Sequence, residues 1–373
     1  MGRRGNKEGS ISKRADGRWM GRYTADTPGG PKRFTVYGST REDVREKMTR
    51  AMAHRDGGLV FDAGALTVAA WLSRWLTDNV KGTVRESTYG SYSRTVNNYL
   101  IPGIGRIKLK NLKASHLRGL YREKLGSGLS TRTVGYMHTL AKKALKDAVR
   151  DELIPYNAAD AVRPPKLIRD EIRPLSASQV RTLLETASEA GERLEAAYIV
   201  AVHTGMRPGE LCALRWDDVD LDTGTVQIKR ALSGGKMTAP KTARGRRRIT
   251  LSAAARHALK AHRLRQLEER MKKASLWQDH GLIFPSNVGT PLSQRNLTRA
   301  FKATLKRAGL PDTFRLYDLR HTCATLLLSR NVHPKYVQEL LGHASIALTL
   351  DTYSHVIPGM DGGTASAMDD ALG

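Results

Sequence analysis

Apolar and polar residues alternate along the first part of the chain and recur at helical spacing along the rest. Three runs near Ser10–Lys13, Arg18–Ala25 and Lys32–Tyr37 read as strands. Ala15-Asp16-Gly17 and Thr27-Pro28-Gly29-Gly30 separate them with turn-forming residues. On the second run Arg18, Met20, Arg22 and Thr24 share one face. On the third, Arg33, Thr35 and Tyr37 face away from Phe34 and Val36. Ser39-Thr40-Arg41-Glu42 reads as a capping box opening a helix that runs to about His54. A three-stranded sheet is expected, with one helix on its apolar face and a basic face opposite.

From residue 65 the period lengthens. Helices are expected at Thr67–Asp78, Ser87–Leu100, Ala114–Leu125 and Ser130–Arg150, with Thr67, Ser87 and Ser130 as N-caps. The last spaces Val134, Met137, Ala141, Leu145 and Ala148 as one buried stripe and carries Arg132, Lys142, Lys143 and Lys146 elsewhere. Arg163-Pro164-Pro165-Lys166 cannot continue a helix and reads as a linker. Beyond Pro174, Ser176 caps a helix and another spans about Arg193 to His203. Strands are expected at Thr225–Ala231, Lys236–Lys241 and Arg246–Leu251, turning at Gly234-Gly235 and Ala243-Arg244-Gly245. Helices at Ser252–Lys273, Ser293–Ala308, Tyr317–Ser329, His333–Leu341 and Ile346–Tyr353 follow. The expected fold class is multidomain and mainly α. It has a small N-terminal sheet-plus-helix domain (1–58), a helical domain (65–163), an α-rich domain with a small β-sheet (174–357) and a tail (358–373).

Charge adds a partner to this picture. The 62 Lys+Arg against 36 Asp+Glu leave +26, and residues 1–58 alone carry a net +7. A polyanion, and first of all a nucleic acid, is the partner such a balance implies. Arg18, Arg22 and Arg33 on the sheet, and Lys142, Lys143 and Lys146 on the long helix, are candidate DNA contacts. A merely solvated sheet face is the alternative, disfavoured because like charges on one face repel. The two cysteines, Cys212 and Cys323, exclude a disulfide framework or zinc-finger spacing and suit a reducing compartment. No signal peptide is expected, since no apolar segment follows Arg3, Arg4 and Lys7. The longest apolar run, about Ala196 to Val202, is too short to cross a bilayer. A cytoplasmic, nucleoid-associated protein without a membrane partner is the expectation.

The final 38 residues, from Tyr336, contain no Lys or Arg. A segment lying on phosphates would not be so composed. Beyond Ile357 the tail is expected either to meet protein, such as a neighbouring subunit, or to be a disordered end.

Four stretches carry candidate chemistry. They are Thr204-Gly205-Met206-Arg207-Pro208-Gly209-Glu210-Leu211, Pro240-Lys241-Thr242, Tyr317-Asp318-Leu319-Arg320-His321-Thr322, and Leu340-Leu341-Gly342-His343 followed by Asp351-Thr352-Tyr353-Ser354-His355-Val356. Breaking a phosphodiester without metal requires guanidinium forks for the non-bridging oxygens. It also needs a nucleophile, for which a phenol serves, and an acid for the departing 5′-oxygen, for which a lysine among cations serves. A histidine can add a hydrogen bond to the phosphoryl group. Two Arg, one Lys, one His and one Tyr supply these parts. Taken singly each has a bland reading. Arg320 could pair with Asp318, Lys241 could belong to a solvated hairpin, and Tyr353 could be core.

In order and spacing these stretches resemble the tyrosine recombinase (phage integrase) family, from the sheet domain through Tyr353. The resemblance implies that Arg207 and Arg320 clamp the scissile phosphate and that Glu210 buttresses the site. It implies Lys241 as general acid, His343 as the late histidine and Tyr353 as nucleophile, with His321 the histidine that often follows the second arginine. It also implies chemistry free of metal, ATP or other cofactor, through a 3′-phosphotyrosyl bond and a four-way junction. Residues 1–58 resemble an arm-site-binding domain, and 65–163 would bind the core site. The implied partners are double-stranded DNA attachment sites, a homotetramer on DNA, and host bending and directionality factors. The family usually places histidine three residues before the second arginine; this chain has Tyr317, whose phenol is no base near neutral pH. His321, a quarter-turn of helix beyond Arg320, is not expected to replace it. Integration is the favoured role. A chromosome or plasmid resolvase of the same chemistry, or a non-catalytic DNA-binding protein, are the alternatives.

Overall fold

The computed structural model describes residues 9–15, 17–27, 30–56, 66–167, 174–240, 243–354 and 363–372. Two compact units divide between Ile168 and Arg169, just past the Pro164-Pro165 segment. The expected limits at 58 and 357 lie outside the described residues.

In the first unit, β1 (Ser10–Lys13), β2 (Trp19–Thr27) and β3 (Gly30–Gly38) form an antiparallel sheet in chain order. It is followed by α1 (Arg41–Asp56). Register pairs Arg22 with Thr35 and Gly21 with Val36. Gly21 has to be glycine: a Cβ there would meet Val44 and Met48 of α1 within 3 Å. Arg22 and Arg33 stay exposed on the opposite face. The helix cap sits one residue later than the sequence suggests. Thr40 Oγ1 accepts from the Asp43 amide at 3.1 Å, and Asp43 reaches back to Ser39. Glu42 instead pairs with Arg45.

The helical part of this unit comprises α2 (Val68–Trp75), α3 (Glu86–Thr95), α4 (Ile101–Ile104), α5 (Ala114–Gly126) and α6 (Thr131–Arg150). Thr67 and Ser130 cap as expected. Ser87 does not: α3 begins one residue before it, with Arg85 extended at the cap position and Glu86 against the positive helix end. Both expected long helices widen to π-turns, at Leu76–Val80 and Val96–Leu100. The second turn lies just before Pro102, which has no N–H to give four residues back. The stripe Val134, Met137, Ala141, Leu145 and Ala148 is buried against Trp71 and Trp75. The two indoles donate to the Ala144 carbonyl at 3.0 Å and to Asp147 at 2.7 Å. Lys142, Lys143 and Lys146 are exposed.

The second unit holds α7 (Ala177–Glu189), α8 (Glu195–Thr204), α9 (Pro208–Leu211), β4 (Val219–Asp220), β5 (Thr225–Ile228), β6 (Ala231–Ser233), β7 (Lys236–Thr238), β8 (Arg247–Thr250), α10 (Ala253–Lys273), α11 (Gln294–Arg307), α12 (Asp318–Leu328), α13 (Pro334–Leu341), α14 (Ile346–Tyr353) and α15 (Gly363–Leu372). Ser176, Ser252 and Ser293 cap α7, α10 and α11. α8 is apolar nearly all round and packs against α7, α10 and α12 as the centre of the core. The single strand expected over Thr225–Ala231 breaks into two. Lys229 and Arg230 leave the ladder to pair with the buried Asp218, at 3.3 and 2.7 Å. β5 then pairs with β4 and β8, and β6 with β7 as a separate ribbon. Among the described residues no helix is long and apolar enough to cross a membrane.

Candidate active site

The site is built where α8, α12 and α13 end or begin. Gly205 closes α8 in the left-handed region at φ 61°, and a Cβ on it would stand 2.5 Å from Leu341 Cδ2. This turn aims Arg207 into the N-cap of α9. There the Arg207 amide donates to Glu210 Oε2 at 3.0 Å, and its Nη1 donates to Oε1 at 2.8 Å. Glu210 is only 3% exposed. Burial pushes its carboxyl up, but Arg247 and Arg207 outweigh that and hold it below the usual carboxylate range.

Arg320, on the first turns of α12, is buried. Its Nη1 donates to the Gly205 carbonyl at 2.7 Å and its Nη2 to the Leu341 carbonyl at 2.8 Å. Asp318, the carboxylate considered for it, pairs with Arg315 instead, at 2.9 Å. Burial, together with the charges of Arg207 and Arg247, lowers the Arg320 pKa to about 10, which leaves it cationic at neutral pH. Tyr317 is 39% exposed and lines a cavity of about 410 Å³ with Arg207, Glu210, Gln294 and Arg315.

His343 follows Gly342, the left-handed cap of α13, and is buried. Its Nδ1 lies 2.8 Å from Thr349 Oγ1. Burial first, then Arg320, Arg207, His321 and Arg247, push its pKa down to about 4, so the ring is neutral. Tyr353, the last residue of α14, is 1% exposed and packs on Ala324, Leu328, Val337 and Leu341. Its phenolic oxygen lies 2.6 Å from His321 Nδ1. Burial drives the phenol pKa up, partly offset by Arg320.

The structure thus gathers Arg207, Glu210, Arg320, His343 and Tyr353, with Tyr317 at the cavity rim. Lys241 lies outside the described residues. Arg18, Arg22 and Arg33, like Lys142, Lys143 and Lys146, belong to the other unit. Sequence reasoning misses one member, and names another without its partner. Arg247 reads in the sequence as part of a basic strand, yet it donates to both Glu210 oxygens at 3.2 and 3.0 Å and to the Leu340 carbonyl at 2.6 Å. Its signal was strand alternation: two residues before the inward Ile249, it must also point inward. His321 follows Arg320 in sequence, but its neighbour on the helix face is Tyr317, four residues earlier. The two rings meet edge-on at 5.2 Å. Among the described residues, no group of three or more His, Cys, Asp or Glu could hold a metal ion.

Residues 173–359 match the phage integrase family, and residues 67–125 match the phage integrase N-terminal SAM-like domain. A tyrosine recombinase XerC-like protein of Caldanaerobacter subterraneus subsp. tengcongensis is 27% identical over 361 residues, 91% of this chain and 92% of that protein. An integrase of Streptomyces ambofaciens is 30% identical over 356 residues, 90% of this chain and 89% of its own. Among solved structures, the Tn1549 transposon integrase with a circular intermediate DNA gives a TM-score of 0.70 at 21% identity, over 83% of this chain and 100% of that one. A lambda integrase tetramer bound to a Holliday junction gives 0.60 at 20% identity, over 90% of this chain and 95% of that one.

Proposed function

This chain belongs to the phage integrase family, the tyrosine recombinases, and from that premise we propose that it integrates, and also excises, a mobile element or phage genome through a 3′-phosphotyrosyl bond at Tyr353. The enzyme is a tyrosine-type site-specific DNA recombinase. The observation that carries the finer reading is the placing of Arg320, whose charge acts on Tyr353 while it feels those of Arg207 and Arg247.

In this reading Arg207 and Arg320 take the non-bridging oxygens of the scissile phosphate. Each Arg320 Nη keeps a second N–H beyond the one given to a backbone carbonyl. The Tyr353 oxygen attacks phosphorus, the bond to the 5′-oxygen breaks, and Lys241 protonates the leaving oxygen. That 5′-hydroxyl, or another strand's, later reverses the step and frees Tyr353. In the tautomer that accepts from the Thr349 hydroxyl at Nδ1, His343 offers Nε2–H to a phosphoryl oxygen. Glu210 and Arg247 hold Arg207 at its post. No cofactor enters.

The partners in this reading are double-stranded attachment sites. Arg18, Arg22 and Arg33 meet arm-type DNA, and Lys142, Lys143 and Lys146 meet the core site. The exposed basic faces and the +26 charge support this. The active form is a homotetramer on DNA, served by a host bending factor and a directionality factor, at the nucleoid. The acidic tail meets a neighbouring subunit. A resolvase of the same chemistry is the second reading; the arginine-faced sheet of β1–β3 favours integration. A nicked suicide substrate tests the chemistry. A covalent protein–DNA adduct should form with the natural chain and vanish in Tyr353→Phe; an adduct that persists in Tyr353→Phe overturns the assignment.

A further inference from the structure

We propose that His321 is the proton acceptor for Tyr353, taking over from the position where this chain carries Tyr317. The inference rests on the phosphotyrosyl reading above and adds to it the residue that activates the nucleophile.

The geometry is direct. His321 Nδ1 and the Tyr353 oxygen are 2.6 Å apart, within the range of a strong hydrogen bond. Among the described residues the phenol has no other hydrogen-bond partner; with the ring hydrogen on Nε2, Nδ1 is free to accept the phenolic proton, and that tautomer is the one the proposal requires. A neutral imidazole is required for this role. Burial keeps the ring neutral, Arg315 and Arg320 add to that effect, and Asp318 works against it. Tyr317 cannot do the same work. It is itself a phenol, and it presses its ring edge-on against His321 at 5.2 Å, fixing the imidazole that stands one helical turn further along the same face. Among the described residues the titratable groups facing the pair are Tyr317, Asp318, Arg320 and Cys323 around α12, Arg315 just before it, and His343 just beyond α13.

The proton balance closes. As the Tyr353 oxygen bonds to phosphorus, its O–H bond breaks and the proton passes to His321 Nδ1. The imidazolium returns that proton to the phenolate when the 5′-hydroxyl attacks and the phosphotyrosyl bond breaks.

The test uses the full chain on the nicked substrate. His321→Asn is nearly isosteric and keeps an oxygen acceptor near Nδ1, but it cannot hold the proton. Cleavage should fall by about 10²-fold while core-site binding persists. The residual rate should rise steadily with pH through the neutral range, where the natural chain's rate levels off. A fluorinated tyrosine at position 353, whose phenol ionises near neutral pH, should restore cleavage roughly tenfold or more in His321→Asn. A purely structural histidine would give no such rescue, and its absence overturns the proposal. If Tyr353→Phe forms no adduct while His321→Asn and His321→Ala cleave at the natural rate, the role of His321 fails alone. If Tyr353→Phe still forms adduct, the nucleophile assignment fails with it.

Discussion

Arg247 holds the buried carboxylate of Glu210 with both terminal nitrogens, at 3.2 and 3.0 Å, and that same carboxylate steadies Arg207 at 2.8 Å. One anion thus partners two guanidiniums beside a third, that of Arg320. Removing it as Glu210→Gln leaves crowded cations with little to offset them. Such a loss from a buried pair costs roughly 3–5 kcal/mol. Urea denaturation should show a lower midpoint at unchanged slope, and cleavage of the nicked substrate should fall with it.

Arg207 and Arg320 should part company under the same assays. Both alanine variants should lose about 10²–10³-fold in cleavage while retaining most DNA affinity. Arg207 has a one-third-exposed side chain, so its removal should barely move the melting temperature. Arg320 joins the end of α8 to the end of α13 through the Gly205 and Leu341 carbonyls. Arg320→Ala should therefore melt several degrees lower as well.

His343 makes the fold sensitive to acid. Its folded-state pKa, about 4, lies below the unfolded value of about 6.5. Protons therefore favour the unfolded chain within that window. Stability should be unaffected above pH 6.5 and should decline by about 3 kcal/mol as pH falls to about 4. In His343→Gln, denaturation followed across this range should show a shallower decline.

Deleting residues 1–58 should leave core-site binding and nicked-substrate cleavage intact and abolish integration between two sites. A gel-shift comparison on separate arm and core DNAs, beside a recombination assay, reads both. Loss of core-site cleavage in the deletion would count against a separate arm-binding role.

The sequence was most legible where one local rule decides. Serine and threonine caps set the starts of α2, α6, α7, α10 and α11, and the apolar stripe of α6 was plain from its spacing. It was least legible where a distant partner decides. Nothing local says that Lys229 and Arg230 abandon a strand for Asp218, or that Glu42 turns to Arg45 and leaves the cap to Thr40 and Asp43. The candidates that follow the family pattern, Arg207, Glu210, Arg320, His343 and Tyr353, could be proposed from sequence. Arg247 could be found only by asking what an inward-facing arginine pairs with, and the pairing of His321 with Tyr353 only from the folded α12 and α14.

Tyr353 is packed beneath the surface among Leu328, Val337 and Leu341. If Tyr353 is the nucleophile, as proposed, a chain that merely collides with a chromosome presents almost none of it. In the proposed reading, DNA binding has to open this packing above the phenol while leaving the Tyr353–His321 contact in place, and the binding free energy of a site is its natural source. On that reading, packing and site binding together would keep stray encounters from becoming cuts.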